Sequence, residues 1–331
     1  MTFLFSSEIS IINVVGESAC RVFCNRYPSF FEIMINFLFA SFEAVTGLPE
    51  FAAYIFIFVL GAAIGSFLNV VIYRVPNELS VVFPGSACPK CKAPIKSYDN
   101  IPVLSWLILG GKCRGCKEKI AARYPAVELL TALVFILVYS QIGFNPFLPL
   151  CLLFAATMIA LIFIDADHMI LPNVITYPLL AVMLAARVGF ALAFGALYFP
   201  DLAFSPLTLL HGWPVWAVSL IGALLGGLAG GGSLWLVGEI WKRLRGVEAM
   251  GLGDVKLMFG VGALLGWRLS LLSIFMGAFS GAIIGVFLIS RQKDKDLQTQ
   301  IPFGIFLGIG SILALLFGEA FIRWYFATFV P

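Results

Sequence analysis

The sequence predicts an all-α polytopic membrane protein with about eight transmembrane helices. Of its 331 residues, 61% are hydrophobic and only 12% are charged, whereas soluble domains usually carry about 25% charged residues. A chain this apolar lacks the polar surface that a water-soluble fold needs, so we expect the lipid bilayer to surround it. The net charge is small, at +3, and we expect no nucleic-acid partner.

Eight apolar runs carry this prediction, because a spanning helix needs about 20 mostly apolar residues. The runs are 51–73, 125–142, 147–164, 174–197, 214–238, 254–267, 269–290 and 303–326. The sixth run is short, which is typical of a helix that begins inside the protein rather than at the lipid surface. The glycines of the fifth run are interpreted as packing positions, since small residues let membrane helices approach closely. They are Gly222, Gly226, Gly227, Gly230, Gly231 and Gly232.

The domain organisation follows from these runs. Residues 1–50 form an amino-terminal tail of uncertain structure, 51–73 the first transmembrane helix, 74–124 a polar loop domain, and 125–331 the transmembrane core. In the tail, charged residues interrupt the short apolar stretches, so neither a cleavable signal nor a clear span is indicated. An interfacial helix, a plain tail and an upstream start codon all stay open as interpretations.

Lysine and arginine positions predict the orientation in the membrane. Nine of them lie in 74–124, four in 242–256 and three in 291–300. With eight spans these three segments fall on one side of the bilayer, which the positive-inside rule assigns to the cytoplasm. Both chain termini are then expected outside. A further span within 30–46 would move the amino terminus inside without changing the rest.

Two C-x2-C pairs, Cys88/Cys91 and Cys113/Cys116, lie in the polar loop. Four thiolates at this spacing can surround Zn(II) as a tetrahedron. Four cysteine ligands leave no open position, so the metal would be structural and would fold a loop with few apolar groups of its own. Iron remains an alternative at this spacing, as does the absence of any metal.

Asp165 and Asp254 are the candidate catalytic residues, because charges within membrane spans are costly and usually functional. Asp165 follows the third apolar run, and Asp254 opens the sixth, directly after Gly251 and Gly253. The predicted topology places both at cytoplasmic helix ends. Two carboxylates close together in a poorly solvated site share one proton, which supplies the acid and the base of an aspartic protease.

Two other interpretations of these carboxylates stay open. In the first, Asp165 terminates a helix and Asp254 forms an ion pair with Lys256 or Arg243. In the second, Asp165 and Asp254 bind a metal together with the neighbouring Asp167 and His168. Glu128, at the start of the second span, is a further candidate, either for holding an amino group or for a plain ion pair with Arg123.

Eight stretches of the chain form a characteristic series: GSFLNVVIYRVP (65–76), CPKC (88–91), NIPVLSWL (100–107), CRGC (113–116), RYPAVELLTAL (123–133), DADHMILPN (165–173), GLGDVKL (251–257) and IPFGIFLGIG (301–310). In these stretches, in this order, the chain resembles the bacterial type IV prepilin peptidases, the bifunctional leader peptidase/N-methyltransferases. The resemblance runs from about residue 55 to 320. Each stretch alone is a weak signal, and their common order makes the resemblance specific.

The resemblance implies a GxGD-class aspartyl protease of the bacterial inner membrane, with Asp165 and Asp254 as its catalytic pair. It implies cleavage of the basic leader of prepilins and pseudopilins after a glycine on the cytoplasmic side. It also implies N-methylation of the new amino terminus by S-adenosylmethionine, for which the sequence shows no Gly-rich fingerprint and no identified residues. Asp99, Glu118, Glu239 and Glu248 are candidates for attracting the basic leader.

A membrane transporter or metal-handling protein is the alternative from another functional class. Intramembrane acids, a thiolate-bearing loop and Gly-rich helices would all suit it. No inverted repeat is visible, however, and the acids cluster at one membrane face rather than at mid-membrane, as transporter sites do. We therefore prefer the peptidase.

Overall fold

The computed structural model describes residues 41–88, 90–194, 213–247, 250–291 and 302–329. Within these ranges the regular structure is helical, apart from two isolated β-bridges. The helices are α1 Phe42–Thr46, α2 Glu50–Arg74, α3 Leu104–Ile108, α4 Arg123–Ile142, α5 Leu148–His168, α6 Asn173–Phe194, α7 Val215–Gly227, α8 Ser233–Arg245, α9 Leu252–Arg291 and α10 Phe303–Phe329. A 3-10 turn spans Ser97–Asn100, and a π-helical segment, Leu228–Gly232, joins α7 to α8.

Seven helical segments in the described ranges are long and apolar enough to cross a membrane. They are α2, α4, α5, α6, the continuous 215–245 segment, α9 and α10. Each of them covers most of one predicted run, except α9, which covers two. The all-α polytopic fold is therefore confirmed.

Helix α9 reverses direction at Gly266 and so supplies two of the predicted spans. Gly266 has φ 77° and ψ 174°, which is not helical. A Cβ placed on Gly230 would meet both the Met258 carbonyl oxygen, at 2.7 Å, and Ser270 Oγ, at 2.2 Å. Since residues on either side of Gly266 meet the same glycine, the two halves of α9 fold back on each other. The first half, 252–265, rises about 21 Å, less than the bilayer's hydrocarbon core of about 30 Å, so this span is short as predicted.

Helix α5 lies at the centre of the bundle. Its most apolar stretch is 72% buried, the largest share among the spanning segments. Phe154, Met158 and Leu161 are fully enclosed along it, and it contacts α2, α4, α6 and α10. The carboxyl end of this central helix carries Asp165, so the acidic group is held by the most rigidly packed element.

One end of the bundle collects the polar features. The carboxyl end of α5 meets the start of α10 through Asp165 and Ile305. It meets the start of α4 through an ion pair between Asp167 and Arg123. The loop that precedes α4 carries the four paired cysteines, so it lies at this same end.

The amino-terminal tail is described only in part. Residues 1–40 lie outside the described ranges. Helix α1 follows them, with the Ser41 side chain accepting a hydrogen bond from the Ala44 N–H at its start. Gly47, at φ 72°, closes α1 before α2 begins.

Two glycines form the tightest helix crossing. A Cβ on Gly262 in α9 would lie 2.0 Å from the Gly226 carbonyl oxygen, and a Cβ on Gly226 in α7 would lie 2.1 Å from that of Gly262. The two backbones are therefore in direct contact, as small residues permit. The interpretation of the glycines in this region as packing positions agrees with this contact.

This crossing predicts that Gly262→Ala destabilises the protein, because the new methyl group overlaps backbone atoms that cannot rotate away. Overpacking of this kind costs about 1–3 kcal/mol, so we expect the thermal unfolding midpoint in detergent to fall by several degrees. The matched control is Gly238→Ala in α8, where a Cβ meets nothing within 4 Å. Equal midpoints for the two variants would contradict the crossing.

Candidate active site and metal centre

Asp165 lies in the last turn of α5 and is 5% exposed. The helix ends three residues later, where Met169 adopts a left-handed conformation with φ 53° and donates its N–H to the Asp165 carbonyl. Pro172 follows and cannot continue a helix. The local sequence thus ends α5 just beyond the carboxylate, as predicted.

The Asp165 carboxylate is bound by the amino terminus of α10. The Ile305 N–H donates to Oδ2 at 3.0 Å, and the Gly304 N–H is a second backbone donor. First-turn N–H groups have no partner within their own helix, and a helix amino terminus favours negative charge. A Cβ on Gly304 would lie 2.8 Å from Oδ2, so any other residue at this position would force the carboxylate or the helix start to shift.

Asp254 occupies the first turn of α9 and is 9% exposed. Its carboxylate accepts a hydrogen bond from the Gly251 N–H, and its own N–H donates to the Gly251 carbonyl at 3.2 Å. This reciprocal pairing resembles a capping box, in which the third residue of a helix reaches back to the residue that caps it. Gly253 faces Leu171, where a Cβ would come within 3.0 Å of the leucine Cβ.

The two aspartates line one cavity of about 280 Å³. Its other described lining residues are Met169, Ile170, Leu171, Asn173, Gly251, Gly253 and Lys256. The carboxylates come from helices that are distant in sequence, and the cavity has room for a water molecule beside a peptide bond. Two carboxylates that face one such space can serve as general acid and general base.

The residues beside Asp165 lie outside this cavity lining. Asp167 is exposed on the other side of the turn and forms an ion pair with Arg123, with Oδ2 and Nη1 2.6 Å apart. Arg123 also lies over the Phe163 ring at 5.2 Å. His168 is exposed. The four-residue metal site that the sequence left open is therefore not assembled among the described residues.

The simple ion-pair interpretations are wrong. Lys256 donates from Nζ to the Asn173 side-chain oxygen at 2.9 Å, and Arg243 pairs with Glu239 four residues earlier. Neither of them neutralises Asp254. Both predicted partners find acceptors nearer in space, which leaves Asp254 to face the cavity.

Glu128 likewise does not pair with Arg123. It is 9% exposed in the first turns of α4 and accepts the Val103 N–H at 2.7 Å. Val103 has φ 61° and ψ −51°, an unusual conformation for a β-branched residue. The contact anchors the loop domain to the membrane helix next to it and holds Val103 in this strained geometry.

The four cysteines form a compact cluster whose sulfur atoms all lie within 4.8 Å of one another. Cys88 and Cys116 sulfurs are 3.8 Å apart, and those of Cys91 and Cys113 are 4.0 Å apart. Sulfurs bound to Zn(II) at about 2.3 Å in a tetrahedron lie about 3.8 Å from one another. The cluster therefore fits a metal ion held by four thiolates.

Each cysteine pair sits in a similar tight turn. In the first, the Cys88 N–H donates to Ala93 and the Lys92 N–H donates back to Cys88. In the second, the Cys113 N–H donates to Glu118 and the Lys117 N–H donates back to Cys113. The two turns are equivalent in their hydrogen bonding, which explains why both pairs have the same spacing.

Backbone donors prepare one of these sulfurs for a negative charge. Hydrogen bonds from the backbone of Cys91 and Lys90 lower the pKa of the Cys88 thiol to about 6. At Cys116 a backbone hydrogen bond from Glu118 also lowers the pKa, but burial and the three other thiols outweigh it and raise the value to about 11. Without a cation, four crowded thiols cannot all ionise, and a bound metal removes that conflict.

The acids proposed to attract a basic leader are mostly engaged. Asp99 forms a bidentate pair with Arg114, and this hydrogen bonding holds the pKa of Asp99 below its usual value. Glu118 pairs with Lys90 at 3.3 Å, and Glu239 pairs with Arg243. Glu248 lies outside the described residues. Asp99, Glu118 and Glu239 therefore have roles within the fold.

Three site features were missed by sequence reasoning. They are the Gly304 and Ile305 contact with Asp165, the hydrogen bond from Lys256 to Asn173 in the cavity wall, and the Val103–Glu128 anchor. The glycine in IPFG (301–304) was one available signal, since a lone glycine near a helix start often marks a close approach. The other two join residues far apart in sequence and leave no local pattern.

Comparison with known proteins shows the family of this chain. The profile of the Bacterial Peptidase A24 N-terminal domain matches residues 59–142, and that of the Type IV leader peptidase family matches residues 152–286. This chain belongs to the type IV leader peptidase family. The first matched region covers the loop domain and its flanking helices, and the second covers the helices that carry the two aspartates.

Several curated relatives have the name prepilin leader peptidase/N-methyltransferase. The Aeromonas salmonicida (strain A449) protein is 37% identical over 86% of this chain and 98% of its own length. The Pseudomonas aeruginosa protein is 37% identical over 80% of this chain and 91% of its own length. The Myxococcus xanthus protein is 40% identical over 76% of this chain and 67% of its own length. No solved structure matches the chain.

The cysteine cluster predicts about one equivalent of zinc per chain in the purified protein. Cys91→Ala should remove that metal, because three thiolates leave the tetrahedron incomplete. The matched control is Cys151→Ala, which changes a buried cysteine in α5 far from the cluster in sequence. Elemental analysis of the detergent-purified proteins measures the result. Iron in place of zinc, or unchanged metal in Cys91→Ala, would contradict the assignment.

Proposed function

We propose that this protein cleaves the leader peptide of type IV prepilins and pseudopilins by an aspartyl mechanism, with Asp165 and Asp254 as the catalytic pair. The observation that carries the proposal is one cavity lined by both buried carboxylates. Membership of the leader peptidase family supports it, as do relatives whose printed names include prepilin leader peptidase. The family match favours this function over a transporter.

The mechanism follows from two carboxyl groups that share one proton. The ionised group takes a proton from water as the water oxygen bonds to the scissile carbonyl carbon, and the protonated group donates to the carbonyl oxygen. When the C–N bond then breaks, the leaving nitrogen takes a proton from a carboxyl group. The other carboxylate takes a proton from a hydroxyl of the intermediate, and the leader's new acid then passes its proton to the new amine. The products are an ammonium group on the mature chain and a carboxylate on the leader.

The helix termini give these carboxylates fixed positions. Ile305 N–H holds one oxygen of Asp165, and Gly251 N–H holds Asp254. Neither carboxylate relies on a cation, so each retains oxygen lone pairs for water and substrate. Fixed donors that need no rearrangement during the reaction are what an efficient site requires.

We place the active site at the cytoplasmic face of the inner membrane. The loop domain lies at the same end of the bundle as both aspartates, and 74–124 carries nine lysines and arginines. Basic residues concentrate in cytoplasmic loops. The substrate's apolar segment would lie among the helices, with its leader extending into the cytoplasm.

We further propose that the protein N-methylates the new amino terminus with S-adenosylmethionine, as the relatives' printed names include N-methyltransferase. The four-cysteine domain, with structural Zn(II), would stand beside the peptidase cavity and contribute to this second reaction. Glu128 anchors this domain to α4. The Asp167–Arg123 ion pair then links α4 to α5, the helix that carries Asp165. An assay with labelled S-adenosylmethionine that scores cleavage and methylation separately tests both activities.

Asp165→Asn and Asp254→Asn are each expected to reduce prepilin cleavage by at least about a hundredfold, because general acid–base catalysis contributes about 10²–10⁴-fold. The matched control is Asp167→Asn, two residues from Asp165, which should keep most of the activity since Asp167 faces Arg123 instead. Cleavage is measured by the shortened product in membranes that contain each variant.

The outcome separates the proposed roles of the neighbouring acids. Full processing by Asp254→Asn would overturn the catalytic pair. Loss of cleavage in Asp167→Asn, with activity retained in Asp165→Asn, would show that Asp167 is the catalytic partner of Asp254 in place of Asp165. Equal amounts of folded protein in the membrane are the condition for either comparison.

A further inference from the structure

Lys256 lines the same cavity as the two aspartates, and the two-carboxylate mechanism gives it no role. It is the one cationic side chain among the described residues of the cavity wall. Its Nζ donates to the Asn173 side-chain oxygen at 2.9 Å, and Asn173 lines the cavity too. The ammonium group is thus held at the solvent-accessible wall of the cavity.

The partners of this ammonium group leave it able to bind an anion. An ammonium group has three N–H donors. That of Lys256 contacts one neutral amide oxygen, of Asn173, and the Tyr177 ring, whose centroid is 5.1 Å away. Within the described ranges no carboxylate comes within ion-pair distance of Lys256. No carboxylate of the described residues pairs with the ammonium group, and at least one of its N–H groups faces no acceptor of the described fold.

Peptide hydrolysis creates a need for such a group. Water oxygen bonds to the carbonyl carbon, and the C–N bond breaks as the leaving nitrogen takes a proton from an aspartate carboxyl group. The leader's new terminal acid then passes its proton to the new amine and becomes a carboxylate. That anion forms in a cavity that already contains the charge of an aspartate pair. Like charges at short range in a poorly solvated site repel strongly, so a cation in the wall would offset the repulsion.

We propose that Lys256 binds the carbonyl group on the leader side of the scissile bond and then the carboxylate that hydrolysis leaves there. This inference rests on the proposed peptidase function and assigns it a substrate-positioning residue. Asn173 and Tyr177 orient the ammonium group for the purpose. A purely structural Lys256 would only join the start of α9 to the start of α6.

Two competitor peptides distinguish these roles. Both have the sequence of the substrate's leader up to its terminal glycine; one ends in a free carboxylate and the other in a carboxamide. With the wild-type protein in membranes, we expect the acid to inhibit prepilin cleavage about tenfold more strongly than the amide. Tenfold corresponds to about 1.4 kcal/mol, which is modest for a hydrogen bond between charged groups.

Replacement of the lysine should reverse that preference. In Lys256→Met the carboxylate meets the aspartate pair without a cation, so the amide becomes the stronger inhibitor. Lys256→Arg, which keeps the charge, should retain the preference for the acid. Lys119→Met, a control that removes an exposed lysine from the loop domain, should give the wild-type ratio.

The results separate this proposal from the peptidase function itself. Wild-type membranes that fail to shorten the prepilin would contradict the proposed function. Wild-type membranes that cleave it, yet respond equally to acid and amide, would overturn the role of Lys256 without any variant. An unchanged ratio in active Lys256→Met would overturn it as well.

Discussion

The contact between the start of α10 and the Asp165 carboxylate is the interaction on which the rest of the site depends. Asp165 is almost fully buried, and a buried carboxylate without partners is costly. Ile305 supplies its N–H at 3.0 Å, and the same bond satisfies a donor that the helix cannot satisfy itself. Gly304 lets the start of α10 approach α5 closely, since a Cβ there would lie 2.8 Å from Asp165 Oδ2.

Asp254 is held by the same principle at a second helix start. It opens α9, where the Gly251 N–H binds its carboxylate. The first half of α9 is short and reverses at Gly266, so its amino terminus lies within the protein with Asp254 at the cavity. Two helix amino termini thus hold the two carboxylates at one end of the bundle, and the polar loop domain folds beside them around its cysteine cluster.

The sequence was sufficient to predict whatever depends on local pattern. Apolar run length predicted the spans, and C-x2-C spacing predicted the four-cysteine cluster. The exceptions are contacts between distant residues: Ile305 lies 140 positions from Asp165, and Lys256 lies 83 from Asn173. No sequence periodicity encodes such pairs. The sequence therefore suggested an ion pair between Lys256 and Asp254, whereas Lys256 donates a hydrogen bond to Asn173.

The central claim is that Asp165 and Asp254 act as one catalytic unit, and a double-mutant cycle tests it most directly. Cleavage rates are measured in membranes over long incubations for Asp165→Asn, Asp254→Asn and the double variant. Residues that act as a unit are strongly non-additive, so the double variant should be about as slow as either single variant. A double variant whose loss equals the product of the two single losses would contradict the claim.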